Sequence, residues 1–296
     1  MLSDKVYLNL GGLKVSIDIK DAYKKRTLRL PYKCFVTSKP KKTDFNITVN
    51  TKIMPDFKPG ETIFDTEYSW MLHAFNGGYL YQDRLIREDY GPYIRRAIVK
   101  KDFSHATIYC SEKSAREFGL FNWIFDVPIG QFLMTSVFAK KQALVIHSCA
   151  VKHKGEGLVF MGFSGSGKST LAGLWRKSKM GVVLSDERIV VRKINRGYRI
   201  FGTPWTGSNF AFANTNAPLK RIYLISHAKE NSIRPVSPNK ALPIFLANMR
   251  LPLWDKEKTN QVINMVNEVL FSVPIFELGF KPTEEILKLI AKEYVR

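Results

Sequence analysis

The stretch Gly162-Phe-Ser-Gly-Ser-Gly-Lys-Ser-Thr170 decides the fold that this sequence predicts. It fits the pattern G-x-x-x-x-G-K-S/T, in which glycines let backbone N–H groups approach a bent polyphosphate. Lys168 can reach the outer phosphates, and the Ser169 hydroxyl can ligate Mg²⁺. We therefore predict a Walker A phosphate loop whose contacts to the nucleotide come from Gly162, Ser164, Gly165, Ser166, Gly167, Lys168, Ser169 and Thr170.

The residues on either side of this motif favour a strand, a turn and a helix in that order. Gly157–Met161 is a short apolar run of the kind that forms a buried strand. Ser169–Lys179 follows with helical spacing, which places Leu171, Leu174 and Trp175 on one face. The alternative is a glycine-rich turn that binds nothing, and the agreement of both flanks with the motif argues against it.

The composition is that of a globular chain, with 296 residues of which 45% are hydrophobic, and it leaves room for two domains or one large one. No apolar run approaches the roughly 20 residues that span a bilayer, and the N-terminus lacks the apolar core of a signal peptide. Cys34, Cys110 and Cys149 lie too far apart to indicate a disulfide framework or a zinc site. We expect a cytoplasmic protein.

The charge is strongly basic, with 46 Lys and Arg residues against 26 Asp and Glu residues and a formal net charge of +20. Such an excess favours acidic partners, which include nucleotides, nucleic acid, an anionic membrane face and acidic proteins. A lysine-rich composition spread evenly over a solvated surface explains the same number. The sequence leaves both explanations open.

The first part of the chain is rich in strand patterns, and we predict a β-rich α+β domain over residues 1–140 that binds a substrate or partner. Val6–Leu10 and Leu13–Ile19 alternate around Gly11-Gly12, which is typical of a hairpin. Further strands are predicted at Cys34–Thr37, Phe45–Val49, Gly78–Gln82, Arg96–Val99 and Ala106–Cys110.

Tyrosines and arginines occur together within residues 79–96. Aromatic rings beside arginines can bind single-stranded nucleic acid, but cross-strand packing with solvated charges produces the same pattern and is the interpretation we favour. The residues are Tyr79, Tyr81, Tyr90, Tyr93, Arg84, Arg87, Arg95 and Arg96.

Residues 112–142 have a helical pattern, and residues 141–296 have the alternating pattern of an α/β catalytic domain. In this domain we predict strands at Ala143–Val151, Gly157–Met161, Val182–Ser185, Arg188–Arg192, Tyr198–Phe201 and Arg221–Ser226. Later helices are predicted at Asn239–Met249, Lys258–Phe271 and Thr283–Tyr294.

An acidic pair follows the next strand after the loop. A phosphoryl-transfer site needs a carboxylate that helps to hold Mg²⁺ or accepts the proton of the attacking hydroxyl. Val182–Ser185 is apolar and ends on Asp186 and Glu187, which should lie where ligands bind, at the carboxyl end of a strand. The alternative is a solvated Asp-Glu turn.

Two further features lie close to these residues in the sequence. His147 belongs to a run that can form a hairpin with the loop strand, so it can donate to a phosphate oxygen, or it is a buried histidine satisfied by the backbone. Gly202-Thr-Pro-Trp-Thr-Gly207 either shapes an acceptor pocket, with Trp205 stacking on a ligand, or is a rigid turn with Trp205 in the core.

His147, Gly162–Ser169 and Leu184-Ser-Asp-Glu187 together resemble the catalytic domain of HPr kinase/phosphorylase, a family related to phosphoenolpyruvate carboxykinase in its nucleotide-binding core. The likeness spans about residues 146–192, and it extends more weakly to residue 226. Closer still is a group of HPr-kinase-like proteins, some of which phosphorylate a serine of a precursor peptide.

The resemblance implies a role for each matching residue. Asp186 is similar to the general base on the acceptor hydroxyl, and Glu187 takes the place of the acid that contacts Mg²⁺ together with Ser169. Lys168 neutralises the β- and γ-phosphates, and His147 is similar to the histidine near the transferred group. The family has Asp where this chain has Glu187, and Gly202-Thr-Pro-Trp lies where the family has an arginine–glycine loop.

We therefore predict an ATP- and Mg²⁺-dependent kinase that transfers the γ-phosphoryl group to a hydroxyl, with a serine of a protein or peptide as acceptor. Its catalytic domain would have the mixed sheet of the HPr kinase and phosphoenolpyruvate carboxykinase type, and the resemblance implies a homo-oligomer. Two alternatives stay open. One is a kinase that acts on nucleic acid or a small-molecule hydroxyl, and the other is a non-catalytic, ATP-gated binding module.

Overall fold

A computed structural model of the protein describes residues 5–20, 28, 30–52, 54–83, 95–125 and 128–293. The chain divides into two compact units, Met1–Val137 with Pro252–Lys256 and Phe138–Leu251 with Glu257–Arg296. Each unit is built on a large mixed sheet, which confirms the predicted α/β class. Within the described ranges, no helix is both long and apolar enough to cross a bilayer.

The first unit is rich in strands. Its strands are β1 (Lys5–Leu10), β2 (Leu13–Ile19), β3 (Phe45–Asn50), β4 (Thr62–Asp65), β5 (Trp70–Phe75), β6 (Gly78–Asp83), β7 (Arg95–Val99) and β8 (His105–Cys110). Its helices are α1 (Glu112–Phe118), α2 (Leu120–Phe125) and α3 (Ile129–Lys140), the last of which runs into the second unit. The strands form one sheet in the order β1-β2-β3-β8-β7-β6-β5-β4, with β3 parallel to both of its neighbours.

Local sequence signals have different outcomes in this unit. The predicted hairpin is confirmed, because β1 and β2 pair up to Leu10 and Leu13 around two glycines with positive φ. The predicted strand at Cys34–Thr37 is wrong, because Tyr32–Phe35 is a 3₁₀ helix that starts after a proline. Phe35 is fully buried whereas Cys34 and Val36 are exposed, so Phe35 is the member of this run that packs into the core.

Aromatic side chains fill part of the core of the first unit. Tyr81 stacks between Trp70 and Phe132 at ring distances of 5.4 and 5.6 Å, and Phe132 also meets Trp254 edge-on at 5.2 Å. The Trp254 indole N–H donates to Ser136 Oγ at 3.1 Å. These contacts explain why the short segment around Trp254 belongs to this unit although its neighbours in the chain do not.

The described members of the tyrosine and arginine group serve packing. Tyr81, Arg95 and Arg96 are buried, and Tyr79 packs against Phe103 at 5.3 Å. These four side chains are therefore held within the unit, as the cross-strand interpretation expects. The other four members of the group, Tyr90, Tyr93, Arg84 and Arg87, lie outside the described residues.

A buried ion pair connects the last residue of β6 to the first residue of β7. Arg95 Nε donates to Asp83 Oδ2 at 2.6 Å, both side chains are at most 3% exposed, and the Tyr81 hydroxyl donates to Asp83 Oδ1. Removing one partner of such a pair leaves the other charge buried and uncompensated.

Asp83→Asn is therefore expected to destabilise the protein by about 3–5 kcal/mol. Asp56→Asn is the matched control, because Asp56 is fully exposed and lies 3.8 Å from Arg96, so its loss should leave stability nearly unchanged. Urea unfolding followed by tryptophan fluorescence measures both changes. Equal effects of the two substitutions would contradict the assignment.

The second unit alternates strands and helices. Its strands are β9 (Ala143–His147), β10 (Cys149–His153), β11 (Glu156–Met161), β12 (Val182–Ser185), β13 (Arg188–Ile194), β14 (Gly197–Phe201), β15 (Asn216–His227), β16 (Ser232–Pro235) and β17 (Ile275–Phe280). Its helices are α4 (Lys168–Ser178), α5 (Pro238–Ala247), α6 (Lys256–Ser272) and α7 (Glu285–Glu293). The predicted helices of this unit are confirmed with shifted ends.

The sheet of the second unit has the order β12-β10-β11-β15-β14-β13-β9 and branches at β15. The first residues of β15 pair with β14, whereas its later residues pair in parallel with β11 and β17. Two hydrophobic cores cover the sheet, because successive side chains of a strand point to opposite faces. Val159 and Met161 of β11 join the core that includes α5 and α6, and Leu158 and Phe160 join the core that includes α4 and α7.

The run predicted as one strand at Ala143–Val151 is two strands. β9 pairs with β13, while β10 pairs with β11 and β12, so the chain leaves one end of the strand order and enters the other at Ser148. Ser148 lies between β9 and β10, and Glu187 lies between β12 and β13. The Ser148 N–H donates to the Glu187 carbonyl at 3.0 Å and so connects these two segments. The predicted hairpin with the loop strand forms from β10 and β11, but His147 precedes it and reaches the acidic pair through β9 and β13.

Candidate functional site

The glycine-rich stretch connects the end of β11 to the start of α4, as the motif predicts. Gly165 and Gly167 have φ values of 79° and 96°, which favour glycine. A Cβ at Gly167 would stand 2.5 Å from the Phe280 ring, and one at Gly162 would collide with Ser166 Oγ and stand 2.8 Å from the Ile225 carbonyl. Both steric and conformational demands therefore require these glycines.

The start of α4 retains capacity to bind an anion. Gly167 occupies the N-cap position and provides no side-chain hydrogen bond to the first turn. Free N–H groups at a helix start carry partial positive charge and bind phosphate. Ser166 Oγ is buried without a hydrogen-bond partner among the described residues. These unused donors fit a phosphate group.

Lys168 is folded over the loop and is 7% exposed. Its Nζ donates to the carbonyls of Gly162 at 2.8 Å and Phe163 at 3.2 Å. Burial lowers the pKa of Lys168, and the negative charge of Glu187 opposes this effect. The ammonium is thus held at the loop within electrostatic range of one member of the acidic pair.

Asp186 is 2% exposed, and a backbone turn holds its carboxylate. The N–H groups of Gly207 and Asn209 donate to its two oxygens at 2.9 and 2.8 Å. A buried carboxylate needs such partners, because a charge without compensation is costly in the interior. The alternative of a solvated Asp-Glu turn is therefore wrong for Asp186.

Glu187 is half-buried and pairs with His147, whose side chain is 45% exposed. The His147 Nε2 lies 3.4 Å from Glu187 Oε2, because Arg188 and His147 are opposite each other in the β9–β13 pair. The hydrogen bond from His147 lowers the pKa of Glu187, burial opposes this, and the charges of Arg188 and Lys168 lower it further. The alternative of a buried histidine satisfied by the backbone is wrong.

The pair predicted to bind the metal consists of Ser169, which is exposed, and Glu187. No cluster of three or more His, Cys, Asp or Glu side chains able to hold a metal occurs in the part of the chain that the structure describes. Mg²⁺ commonly takes only one or two protein oxygens and completes its shell with water and substrate phosphates. The hydroxyl and carboxylate oxygens of this pair fit such an ion.

The loop after β14 frames the acidic pair. Ser185 Oγ donates to the Trp205 carbonyl at 2.9 Å, and Thr203 Oγ1 donates to the Arg188 carbonyl. Trp205 is half-buried and meets Phe138 edge-on at 6.5 Å. Trp205 packs against Phe138 with part of its surface open, so it is not a core residue, and its stacking on a ligand stays a prediction.

Two residues at the site were missing from the predictions. Asn209 donates its side-chain amide to the Ser169 carbonyl at 2.7 Å, and His227 Nε2 donates to the Gly165 carbonyl at 3.0 Å while its ring stacks on Phe280. His227 ends the strand that runs parallel to the loop strand, so a known strand order would have located it. No sequence pattern marks Asn209.

Glu187→Gln is expected to lower stability near neutral pH by at most about 1 kcal/mol, since the pair is partly exposed. The folded-state pKa of Glu187 lies below its ordinary value of 4.5, so the stabilisation is complete above that value and is lost as the pH falls through the lowered pKa. Urea unfolding of both proteins between about pH 7 and pH 3 measures the difference. A difference that grows in acid would contradict this expectation.

Comparison with known proteins finds a distant likeness among solved structures only. No family model matches the chain, and no curated protein matches it. Among solved structures, the HPr(Ser) kinase/phosphatase from Coxiella burnetii is similar with a TM-score of 0.28 and 11% identity, over 51% of this chain and 92% of that chain. The function proposed below rests on the residues of the site.

Proposed function

We propose that this protein is an ATP-dependent phosphotransferase that moves the γ-phosphoryl group to a hydroxyl, with a serine of a protein or peptide as acceptor. The observation that carries the proposal is the link between the loop and the buried acid. Asn209 bonds both to Ser169, which follows Lys168 in the loop motif, and to Asp186. Phosphate-binding groups and a carboxylate are thereby held at one place.

The binding groups follow from the loop geometry. The N–H groups of the loop and of the first turn of α4 bind the phosphates, and Lys168 exchanges its two loop carbonyls for phosphate oxygens. Ser169 and Glu187 hold Mg²⁺, which neutralises charge on the phosphates when bound. His147 orients Glu187 through their hydrogen bond.

Asp186 is assigned as the general base. Each carboxylate oxygen has two lone pairs, so one bond from a backbone N–H to each oxygen leaves capacity for the proton of the attacking hydroxyl. The two N–H groups also fix the direction of the carboxylate. Catalysis then consists of positioning and charge neutralisation, without a covalent intermediate on the protein.

The serine acceptor is supported by the resemblance of His147, Gly162–Ser169 and Leu184–Glu187 to HPr-kinase-like proteins. Tyr81, Arg95 and Arg96 are buried and cannot contact a nucleic-acid strand, which weakens the alternative of a nucleic-acid kinase.

The test is transfer of label from γ-labelled ATP to components of a cell lysate, followed by identification of the labelled species by mass spectrometry. A labelled protein or peptide serine that disappears with the Asp186→Asn enzyme supports the proposal. Labelled nucleic acid, or binding that weakens steeply with salt, would favour the nucleic-acid kinase. Tight ATP binding without any product would favour a binding module.

A further inference from the structure

We infer that Asn209 is a positioning residue that couples the phosphate loop to Asp186, an inference that rests on the proposed function. Three hydrogen bonds meet at this residue. Its backbone N–H donates to Asp186 Oδ2 at 2.8 Å, its side-chain amide donates to the Ser169 carbonyl at 2.7 Å, and its carbonyl accepts from Arg176 Nη1 at 2.6 Å. Two of these partners belong to α4, and the third is the buried acid.

The turn that contains Asn209 is closed on itself. Phe210 N–H donates to the Gly207 carbonyl at 3.1 Å, and the Gly207 N–H holds the other oxygen of Asp186 at 2.9 Å. A side chain on Gly207 would come within 3.3 Å of the carboxylates of both Asp186 and Glu187. The turn therefore fits closely against the acidic pair, and a shift of the turn moves Asp186 with it.

Backbone strain in this turn also points to a role in the site. Phe210 has a φ of 49° and is 52% exposed, although a bulky side chain disfavours this conformation. Such strain persists only where surrounding contacts hold it. The bonds of Asn209 to α4 are contacts of that kind.

An amide suits the position for a chemical reason. The Ser169 carbonyl accepts only, so the residue that reaches it must donate, and a neutral donor adds no charge beside Asp186. Aspartate at this position would place an acceptor against the carbonyl and a second negative charge near the base. Asn209 thus joins the first turn of α4, which carries Ser169, to the proposed base without changing the charge of the site.

The consequence for the reaction is a defined distance between the phosphate loop and the base. Asn209→Ala removes the side-chain bond to the Ser169 carbonyl and keeps the two backbone bonds, to Asp186 and from Arg176. The base can then shift relative to the first turn of α4, and a misplacement of 1 Å can cost about 10²-fold in rate. ATP binding does not depend on the link, because the loop N–H groups and Lys168 remain. Asn209→Ala is therefore expected to lower kcat about 10- to 100-fold with little change in the KM for ATP.

The experiment compares Asn209→Ala, Asn209→Asp and Asn209→Gln with Ser208→Ala, an exposed neighbour in the same turn that serves as matched control. We expect wild-type kinetics for Ser208→Ala and a loss of kcat for Asn209→Ala and Asn209→Asp. Asn209→Gln should recover part of the kcat, because glutamine retains the amide donor. Equal kinetics of Asn209→Ala and Ser208→Ala would overturn it, as would a change confined to the KM for ATP.

Hydrogen exchange provides a second measurement that needs no activity. In Asn209→Ala, the bonded amides of residues 207–210 and the amides of α4 from Leu171 onward, which donate to carbonyls of the helix start, should exchange several-fold faster than in wild type, whereas Ser208→Ala should leave them unchanged. If wild type transfers no phosphate, the proposed function fails, and exchange alone decides the inference. Unchanged exchange in Asn209→Ala would then overturn it.

Discussion

Asp186→Asn is expected to reduce phosphoryl transfer by about 10²- to 10⁴-fold, the usual contribution of a positioned general base. ATP affinity should stay near that of wild type, because the loop and Lys168 are unaltered. Single-turnover transfer of label to the acceptor measures the rate, and calorimetric titration with ATP and Mg²⁺ measures the affinity. Full activity of the variant would exclude Asp186 as the base.

The same substitution is expected to cost about 1–3 kcal/mol of stability, which separates Asp186 from an ordinary surface acid. The asparagine oxygen can still accept from one N–H of the turn, but its NH₂ group must face the other N–H, so a donor meets a donor. Glu230→Gln, an exposed acid in the same unit, is the control and should leave stability unchanged. Urea unfolding measures both variants.

Lys168→Met is expected to lower kcat/KM by about 10²- to 10³-fold, because it removes a preorganised positive charge from the phosphates. Its effect on stability should be small, because loss of the two bonds to the Gly162 and Phe163 carbonyls is offset by removal of a buried charge. The pKa of Lys168 is lowered by burial, so at neutral pH the folded state holds a charge that it disfavours, and methionine removes that charge while it keeps the apolar stem.

The control for this change is Lys177→Met on the same helix, where the side chain is 81% exposed. It should leave transfer and ATP affinity at wild-type values. Activity assays and thermal unfolding are made on both variants side by side. A large loss of stability in Lys168→Met together with the loss of activity would indicate a structural role for the lysine rather than phosphate binding.

The parts of the site that lie in one continuous stretch were predictable from the sequence. The order of β11, loop and α4 follows from apolar runs and from glycines at fixed spacing, since both act on neighbouring residues. The acidic pair at Asp186 and Glu187 was predicted because it ends the next apolar strand. The roles of Asp186, Glu187, His147 and Ser169 in catalysis and metal binding remain predictions.

Residues brought in from distant strands were not predictable in the same way. His147 was expected on the hairpin with the loop strand, but the chain crosses between strands at Ser148 and delivers His147 through β9 and β13. Asn209 lies in an irregular turn where no hydrophobic period applies, and His227 ends a strand whose neighbours the sequence does not reveal. Periodicity reports which face of an element is buried, but it does not report which elements pair.

The sequence alone thus determined the succession of strand, glycine-rich turn and helix, because glycine conformation, a short strand and a helix start are local properties of Gly157–Lys179. Only the tertiary structure decided what the loop faces. The branching sheet places β13 beside β9, and a turn that lies well beyond α4 in the sequence, at residues 207–210, holds Asp186 and contacts Ser169. Those contacts depend on strand order and on burial of two cores, which are set by the free energy of the whole unit rather than by any single segment.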